Sequence, residues 1–486
     1  MELDTLTRIG GLLALTSQFE SATATYLEAL RMAGDPLKKA AIHRSLSDVQ
    51  MQTGDLDDAM RTIDDGLRLV GPETAVHWLL RLQNVRGLIY KGELREAAAI
   101  GERAMERLAG LKVPDRDVSS SHNALGAVYI KMGDFARARE QYLKVLESSG
   151  RANDLAGMAN GYNNLGATYQ WTGDLEGAVS NYKKSLTLWE KLGNLYGISS
   201  TLSNIGVALT DMGDFDRVLD YHNRSLAIRR KIGNLEGVGI SLSNIGATHY
   251  RRGELDKALP YMRESLDIRL RLNDRMGIGN SYNNLGDLFL WKGDVEAALD
   301  YMLKGLAIEE EIGDQEGVAF SQAHAGVIYI EMGEAGPARE MLEKGLATSR
   351  EIGLNEYALV ALRGLVEACI AANDLPCAEG HLAEAERLTA ESELDLDGAA
   401  TGRVRGLFLA AKGNYAAAIG SLEASERQFA KLGAAIPRAQ ALYNLGSVLS
   451  ESGDDKGGTA RLREALAEAE RLGLSRMEKK CRERLD

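Results

Sequence analysis

Asn160-Gly161-Tyr162-Asn163-Asn164-Leu165-Gly166-Ala167-Thr168-Tyr169-Gln170-Trp171-Thr172-Gly173-Asp174-Leu175-Glu176-Gly177-Ala178 reads as a helix, a two-residue turn and the start of a second helix. Tyr162, Leu165, Gly166 and Tyr169 share one face at three- and four-residue spacing, which predicts an amphipathic helix over residues 160–172. Gly173 ends it, because a left-handed C-terminal position costs glycine almost nothing. Asp174 then caps a second helix, Leu175–Leu192, by accepting bonds from its free amides. Ala178, Tyr182 and Leu186 form the buried face of that helix, and Gly193-Asn194 closes the unit.

The turn recurs at Gly133-Asp134, Gly213-Asp214, Gly253-Glu254, Gly293-Asp294 and Gly333-Glu334, on a period of 40 residues that includes Gly173. It continues through Asn373-Asp374, Gly413-Asn414 and Gly453-Asp454, and loosens upstream to Ser17, Gly54 and Gly92. A fixed period of this size predicts a solenoid whose units are each too small to bury their own apolar face. Gly126, Gly166, Gly206, Gly246, Gly286, Gly326, Gly406 and Gly446 hold one phase of the first helix. A mid-helix glycine costs roughly 1 kcal/mol relative to alanine, so this register implies a crowded backbone crossing. Ala138, Ala178, Ala258, Ala298, Ala338, Ala378 and Ala418 form the matching small surface after the turn.

Residues 1–114 read as three irregular repeats, 115–355 as six regular ones and 356–474 as three divergent ones; 475–486 is a charged closing helix. Met1 falls almost directly in the first helix, and the expectation from that start is an excised or partner-capped array. Apolar residues make up 45% and charged ones 26%, ordinary for a soluble chain. A formal charge of −13 disfavours general nucleic-acid and anionic-membrane binding, which need a positive footprint. The basic tail from Arg476 to Arg484 is read as a solvated helix. With no spanning apolar run and no signal-peptide pattern, a cytoplasmic location is expected. Three cysteines fit a reducing compartment. Cys369 and Cys377 flank the Asn373 turn closely enough to meet, and are read as buried thiols, with a redox switch as the alternative.

Leu165-Gly166, Tyr169, Gly173-Asp174 and Ala178 together resemble the tetratricopeptide repeat. The longer period, the Asn-Leu-Gly element and linkers such as Ile312-Gly313-Asp314-Gln315-Glu316-Gly317 resemble the subfamily of the animal polarity adaptor Pins and of bacterial signalling arrays. The resemblance implies a right-handed superhelical all-α solenoid of about 12 helix-turn-helix units. HEAT and armadillo arrays, the alternative at this period, lack the Gly-Asp turn.

Asn164, Asn204, Asn244 and Asn284 occupy one position in four consecutive repeats, with Asn163 and Asn283 beside them and Asn160 and Asn280 one turn earlier. Asparagine is a mediocre helix former, so the alignment asks for a reason. The resemblance implies that this position faces the concave groove, where a carboxamide can donate to and accept from a peptide backbone. The competing reading is that these residues set the stacking of repeats. Trp171, Arg251 and Trp291, two residues before their turns, are candidate groove-edge anchors. Asn163, Ile240 and Asn244 stand where a carboxylate-clamp adaptor carries basic residues, and no basic cluster is expected in their place.

No histidine or cysteine spacing suggests a metal, no cofactor is expected, and acids such as Glu309-Glu310-Glu311 read as solvated faces. The expected function is a non-catalytic scaffold binding an extended or helical peptide of a protein partner. The alternative is a regulatory or oligomerising segment of a larger kinase, cyclase or ATPase, with self-association as a further partner. Concentration-dependent dimers in light scattering would favour that second role.

Overall fold

The structure, a computed structural model, describes residues 2–15, 18–53, 55–392 and 395–486; Met1 and the turn positions Ser17 and Gly54 lie outside them. Twenty-five helices follow one another among the described residues, with no strand. They begin with α1 (Glu2–Leu15), α2 (Phe19–Met32), α3 (Pro36–Thr53), α4 (Leu56–Leu69), α5 (Ala75–Tyr90), α6 (Leu94–Ala109), α7 (Asp115–Lys131) and α8 (Phe135–Arg151). Next come α9 (Leu155–Trp171), α10 (Leu175–Leu192), α11 (Leu195–Asp211), α12 (Phe215–Lys231), α13 (Leu235–Arg251), α14 (Leu255–Leu272), α15 (Arg275–Lys292) and α16 (Val295–Ile312). The rest are α17 (Gln315–Met332), α18 (Ala335–Ile352), α19 (Asn355–Ala371), α20 (Leu375–Ser392), α21 (Asp395–Ala411), α22 (Tyr415–Lys431), α23 (Ala435–Glu451), α24 (Asp455–Leu472) and α25 (Ser475–Leu485). This is a helical solenoid of paired helices.

The turns behave as their chemistry requires. Gly173 takes φ +80°, and Asp174 Oδ1 accepts from Gly177 N at 2.8 Å. Asp134, Asp294 and Asp454 cap their helices in the same way at 3.0, 3.0 and 2.9 Å. Glu254 and Glu334 make no capping bond: their extra methylene carries the carboxylate past the first-turn amides. The same device closes the second helices. Asn194, Asp274 and Asp314 accept from Gly197, Gly277 and Gly317 at 2.8, 3.0 and 3.1 Å. Stop and cap therefore recur between repeats as well as within them, at half the period read from the sequence. Asp154 capping Gly157 at 3.2 Å also explains why α9 starts at Leu155, before the expected residue 160.

The alanines after each turn are fully buried at 138, 178, 258, 298, 338, 378 and 418. The glycines, however, receive a different partner. A Cβ on Gly166 would lie 2.6 Å from the Tyr182 ring, and one on Gly126 2.6 Å from Tyr142. Each glycine thus makes room for the side chain four residues beyond the alanine. At Gly446 the added carbon would meet main chain as well, 2.9 Å from Leu462 N and 3.0 Å from Gly458 O. Gly446→Ala therefore sets a propensity gain of about 1 kcal/mol against overpacking of about 1–3 kcal/mol, and a net loss is expected. Gly246→Ala, whose nearest main-chain atoms stand at 3.5 Å beyond Met262 Cγ, should lose less. Urea midpoints of the two variants check the order; a Gly446→Ala protein as stable as wild type would contradict the crowding.

The chain divides into two compact units, one ending at Ala208 and the other running from Leu209 to Asp486. The first buries Tyr26, Ile63, Trp78, Leu80, Tyr142 and Leu165 along its repeats. The second closes on itself. Leu255 shares a core with Ile436, Leu442, Leu472, Leu474, Met477 and Cys481, and Tyr250 and Trp291 pack on its edge. Repeats far apart in sequence are thus in contact there, whereas an open solenoid has neighbour contacts only.

Candidate functional site

The asparagines are linked to one another in the first unit. Asn204 Nδ2 donates to Asn163 Oδ1 at 2.9 Å, and Asn164 Nδ2 to Asn123 Oδ1 at 2.7 Å. A longer bond of 3.5 Å from Asn163 Nδ2 to Asn164 Oδ1 joins the two rungs. The rungs tie α7 to α9 and α9 to α11. Each carboxamide has two donor hydrogens and two lone pairs, so capacity is left for a further partner. Asn160 is exposed, and Trp171 is 70% exposed with its ring stacked on Phe135.

In the second unit the positions part company. Asn284 Nδ2 reaches Ser243 Oγ at 3.5 Å, and Asn244 is half-buried beside it in sequence register. Asn283 is buried: it donates to Glu309 Oε1 at 2.7 Å and accepts from Ser321 Oγ at 3.0 Å. Its signal in the sequence belongs to this internal network. Glu309, 2% exposed, is accordingly no solvated acid; burial raises its pKa, against the bonds from Ser321 and Asn283. Asn280 and Arg251 are exposed and Trp291 is half-buried.

The same register, followed toward the C-terminus, converges on a pocket of about 410 Å³. The phase of Asn164 supplies His324, Gly364 and Asn444; the phase of Asn163 supplies Arg363, Arg403 and Tyr443. Val360, Ala400 and Gln440 carry the phase of Asn160, and Trp291 and Glu331 that of Trp171. First helices α15 to α23 thus turn these phases inward, and α25 completes the wall with Arg476, Met477 and Lys480. Its polar groups are held in pairs. Arg363 Nη1 donates to Asp397 Oδ1 at 2.9 Å, and Arg403 Nη2 to Glu367 Oε1 at 2.6 Å. His324 Nδ1 lies 2.9 Å from Asp287 Oδ1 and its ring stacks on Phe320. Asn444 Nδ2 is buried without a partner.

Residues 157–231, 197–271, 237–311 and 277–351 each match the tetratricopeptide repeat family, and residues 119–150 match a second family of the same description. Residues 119–150 and 157–351 are tetratricopeptide repeats. Among solved structures the chain is similar to the apo form of RapI at a TM-score of 0.54 and 14% identity, over 72% of this chain and 98% of that one. It is also similar to a signal transduction ATPase with numerous domains and a tetratricopeptide repeat sensor from Pyrococcus horikoshii. There the TM-score is 0.54 and the identity 14%, over 74% of this chain and 55% of that one. Both likenesses concern the fold alone. No curated protein matches the chain.

Three further expectations need correcting. A basic cluster does line the pocket: Arg363 and Arg403, at the phase of Asn163, joined by Arg476 and Lys480. It lies in the divergent repeats, where loss of Asn-Leu-Gly hides the register. The tail is not simply solvated: Met477 and Cys481 are buried, and Arg476 Nε and Lys480 Nζ each reach Glu331 Oε2 at 2.7 Å. Cys369 and Cys377 are joined by a disulfide across the α19–α20 turn and are not two separate thiols. Tyr90, 77% exposed at the phase of Trp171, escaped notice because its repeat has a different length. No described helix is long and apolar enough to cross a membrane.

Glu331 gives the docked tail a pH signature. Burial pushes its carboxyl up, but Lys480 and Arg476 outweigh that and hold it below the usual 4.5. A depressed carboxyl contributes stability above its unfolded pKa and loses it as pH falls through the folded value. Hydrogen-exchange protection of α25 is therefore expected to stay level from neutral pH down to about 4.5 and to collapse below it. Protection that fades between pH 8 and 6 would show that something other than Glu331 holds the helix.

Proposed function

We propose that the protein is a non-catalytic scaffold that takes a peptide segment of a protein partner into the second-unit pocket. The segment would continue over Asn280, Asn284 and Asn244, with Arg251 and Trp291 at the edge. Supporting this reading is the convergence of the four repeat phases on one pocket. Its size lies within the range of ligand pockets, about 300–1,000 Å³. Apolar Trp291, Val327, Val360 and Phe429 would receive side chains there, while the paired charges and Asn444 Nδ2 would select polar backbone. Asn160, Asn163, Asn164, Asn204 and Trp171 are proposed as a separate contact strip in the first unit. Asn283 acts behind the surface, as the partner of Glu309.

Selection of peptides against the full chain tests the assignment. A selected peptide should lose at least about tenfold in affinity with Trp291→Ala, as an aromatic anchor does on truncation. Asn204→Ala should change its affinity little. Loss with Asn204→Ala but not Trp291→Ala would move the site to the first-unit strip. Peptides indifferent to both changes would sink the groove reading.

A further inference from the structure

We infer that Cys369, Cys377 and His381 form a zinc site in the thiol state of the protein. Independently of any peptide, the fold gathers one ligand atom from each of these residues within 4.8 Å of the others. The gathering follows from the hairpin. Cys369 sits in the last turn of α19, and the Asn373 turn, at φ +56°, folds α20 back against it. Asp374 Oδ1 accepts from Cys377 N at 3.1 Å and fixes that residue in the first turn of α20. His381 follows at the four-residue spacing that places two side chains on one helical face. Cα atoms of the two cysteines lie 5.9 Å apart.

The donor set is soft, two sulfurs and an imidazole, which favours Zn²⁺ over hard cations. Tetrahedral bonds of about 2.3 Å to sulfur and 2.0–2.1 Å to nitrogen put the ligand atoms roughly 3.5–4 Å apart, so the two sulfurs, bonded to each other in the disulfide, must move apart on reduction, with a His381 nitrogen already within 4.8 Å of both. Behind the site stands an apolar wall of Val366, Ala378, Leu382, Val404 and Phe408 around the buried Cys369. Cys377 and His381 are only half-buried, so the fourth position opens outward. No further Cys, His, Asp or Glu joins the group among the described residues, which leaves that position to water or an exchangeable ligand.

The disulfide and the metal exclude each other. Reduction by a phosphine with water breaks the S–S bond and gives two thiols and a phosphine oxide. Zinc binding then releases both thiol protons to solvent as two Zn–S bonds and one Zn–N bond form.

The full chain, reduced with a phosphine and titrated with Co²⁺, should develop one equivalent of thiolate-to-cobalt charge-transfer absorption that Zn²⁺ abolishes. Cys377→Ser and the oxidised chain should show none, and Cys481→Ser should keep the band. His381→Ala should retain thiolate absorption with affinity reduced by more than about ten- to a hundredfold, the loss that even outer-shell partners cause. Absence of the band in protein whose three thiols titrate as free would overturn the assignment. So would a band that survives Cys377→Ser, or an affinity unchanged in His381→Ala, a variant that spares the apolar core.

Discussion

Replacing Asp397 by alanine is expected to cost about 3–5 kcal/mol, the penalty for leaving a buried charge without its partner. Arg363 and Asp397 side chains are 14% and 13% exposed. Burial lowers the pKa of the Arg363 guanidinium, while Asp397 and Glu367 oppose that shift and Arg403 adds to it. With Asp397 gone, Arg363 stays cationic and is left with Glu367, which already serves Arg403. Replacing both Arg363 and Asp397 with leucine should restore most of the lost stability, because well-packed apolar pairs often match buried ion pairs. Urea denaturation of the single and double variants provides the comparison. Equal destabilisation by the single and the double changes would mean that packing volume, not charge, is what the pair supplies. The single variant carries a functional expectation too: a freed guanidinium in the pocket should raise affinity for peptides ending in a carboxylate.

His222→Met is expected to stabilise the second unit, most of all in acid. His222 is 1% exposed and its Nδ1 has no partner. Burial, with a smaller contribution from Arg229, pushes its pKa down from 6.5 to about 4. Below pH 6.5 the unfolded imidazole takes up a proton that the folded one refuses until about pH 4. Stability is therefore lost as pH falls across that window, by about 3 kcal/mol in all at roughly 1.4 kcal/mol per pH unit. Met262 and Met302 hold the equivalent repeat position at 3% and 0% exposure, so methionine has a tested shape there. The variant should also gain at neutral pH, by about 1–3 kcal/mol, from removing an unsatisfied buried nitrogen. Hydrogen exchange in α12 at pH 4.5 and 7.5 gives the readout. A wild-type protein equally protected at both pH values would mean that the ring is solvated or paired in solution.

Much of the fold was legible because its determinants are local. A glycine that must be left-handed and an aspartate three residues before a free amide announce the turn at Gly173-Asp174 without help from distant residues. Glu254 and Glu334 passed as equivalents because sequence reading weighs charge and not reach. The site was harder. Asn283 looked like its neighbour Asn284, yet Glu309, one helix away, takes it into the interior. Arg363 and Arg403 kept the register of Asn163, but Val366 and Asn373 replace the usual glycines around it and blur the period. No local pattern signals that Arg476 and Lys480 will meet Glu331, since that contact joins residues 145 and 149 positions apart.

That closure bears on how the second unit would respond to tension. Pulled from Asp486, an ordinary array would shed hairpins singly from its free end, each yielding at a similar load. Here the pull must first shear α25 off Glu331 and out of the cluster around Leu255, and only then can α24 and α23 peel away. An optical-tweezers trace from this end should begin with one tall rip followed by smaller, evenly spaced ones.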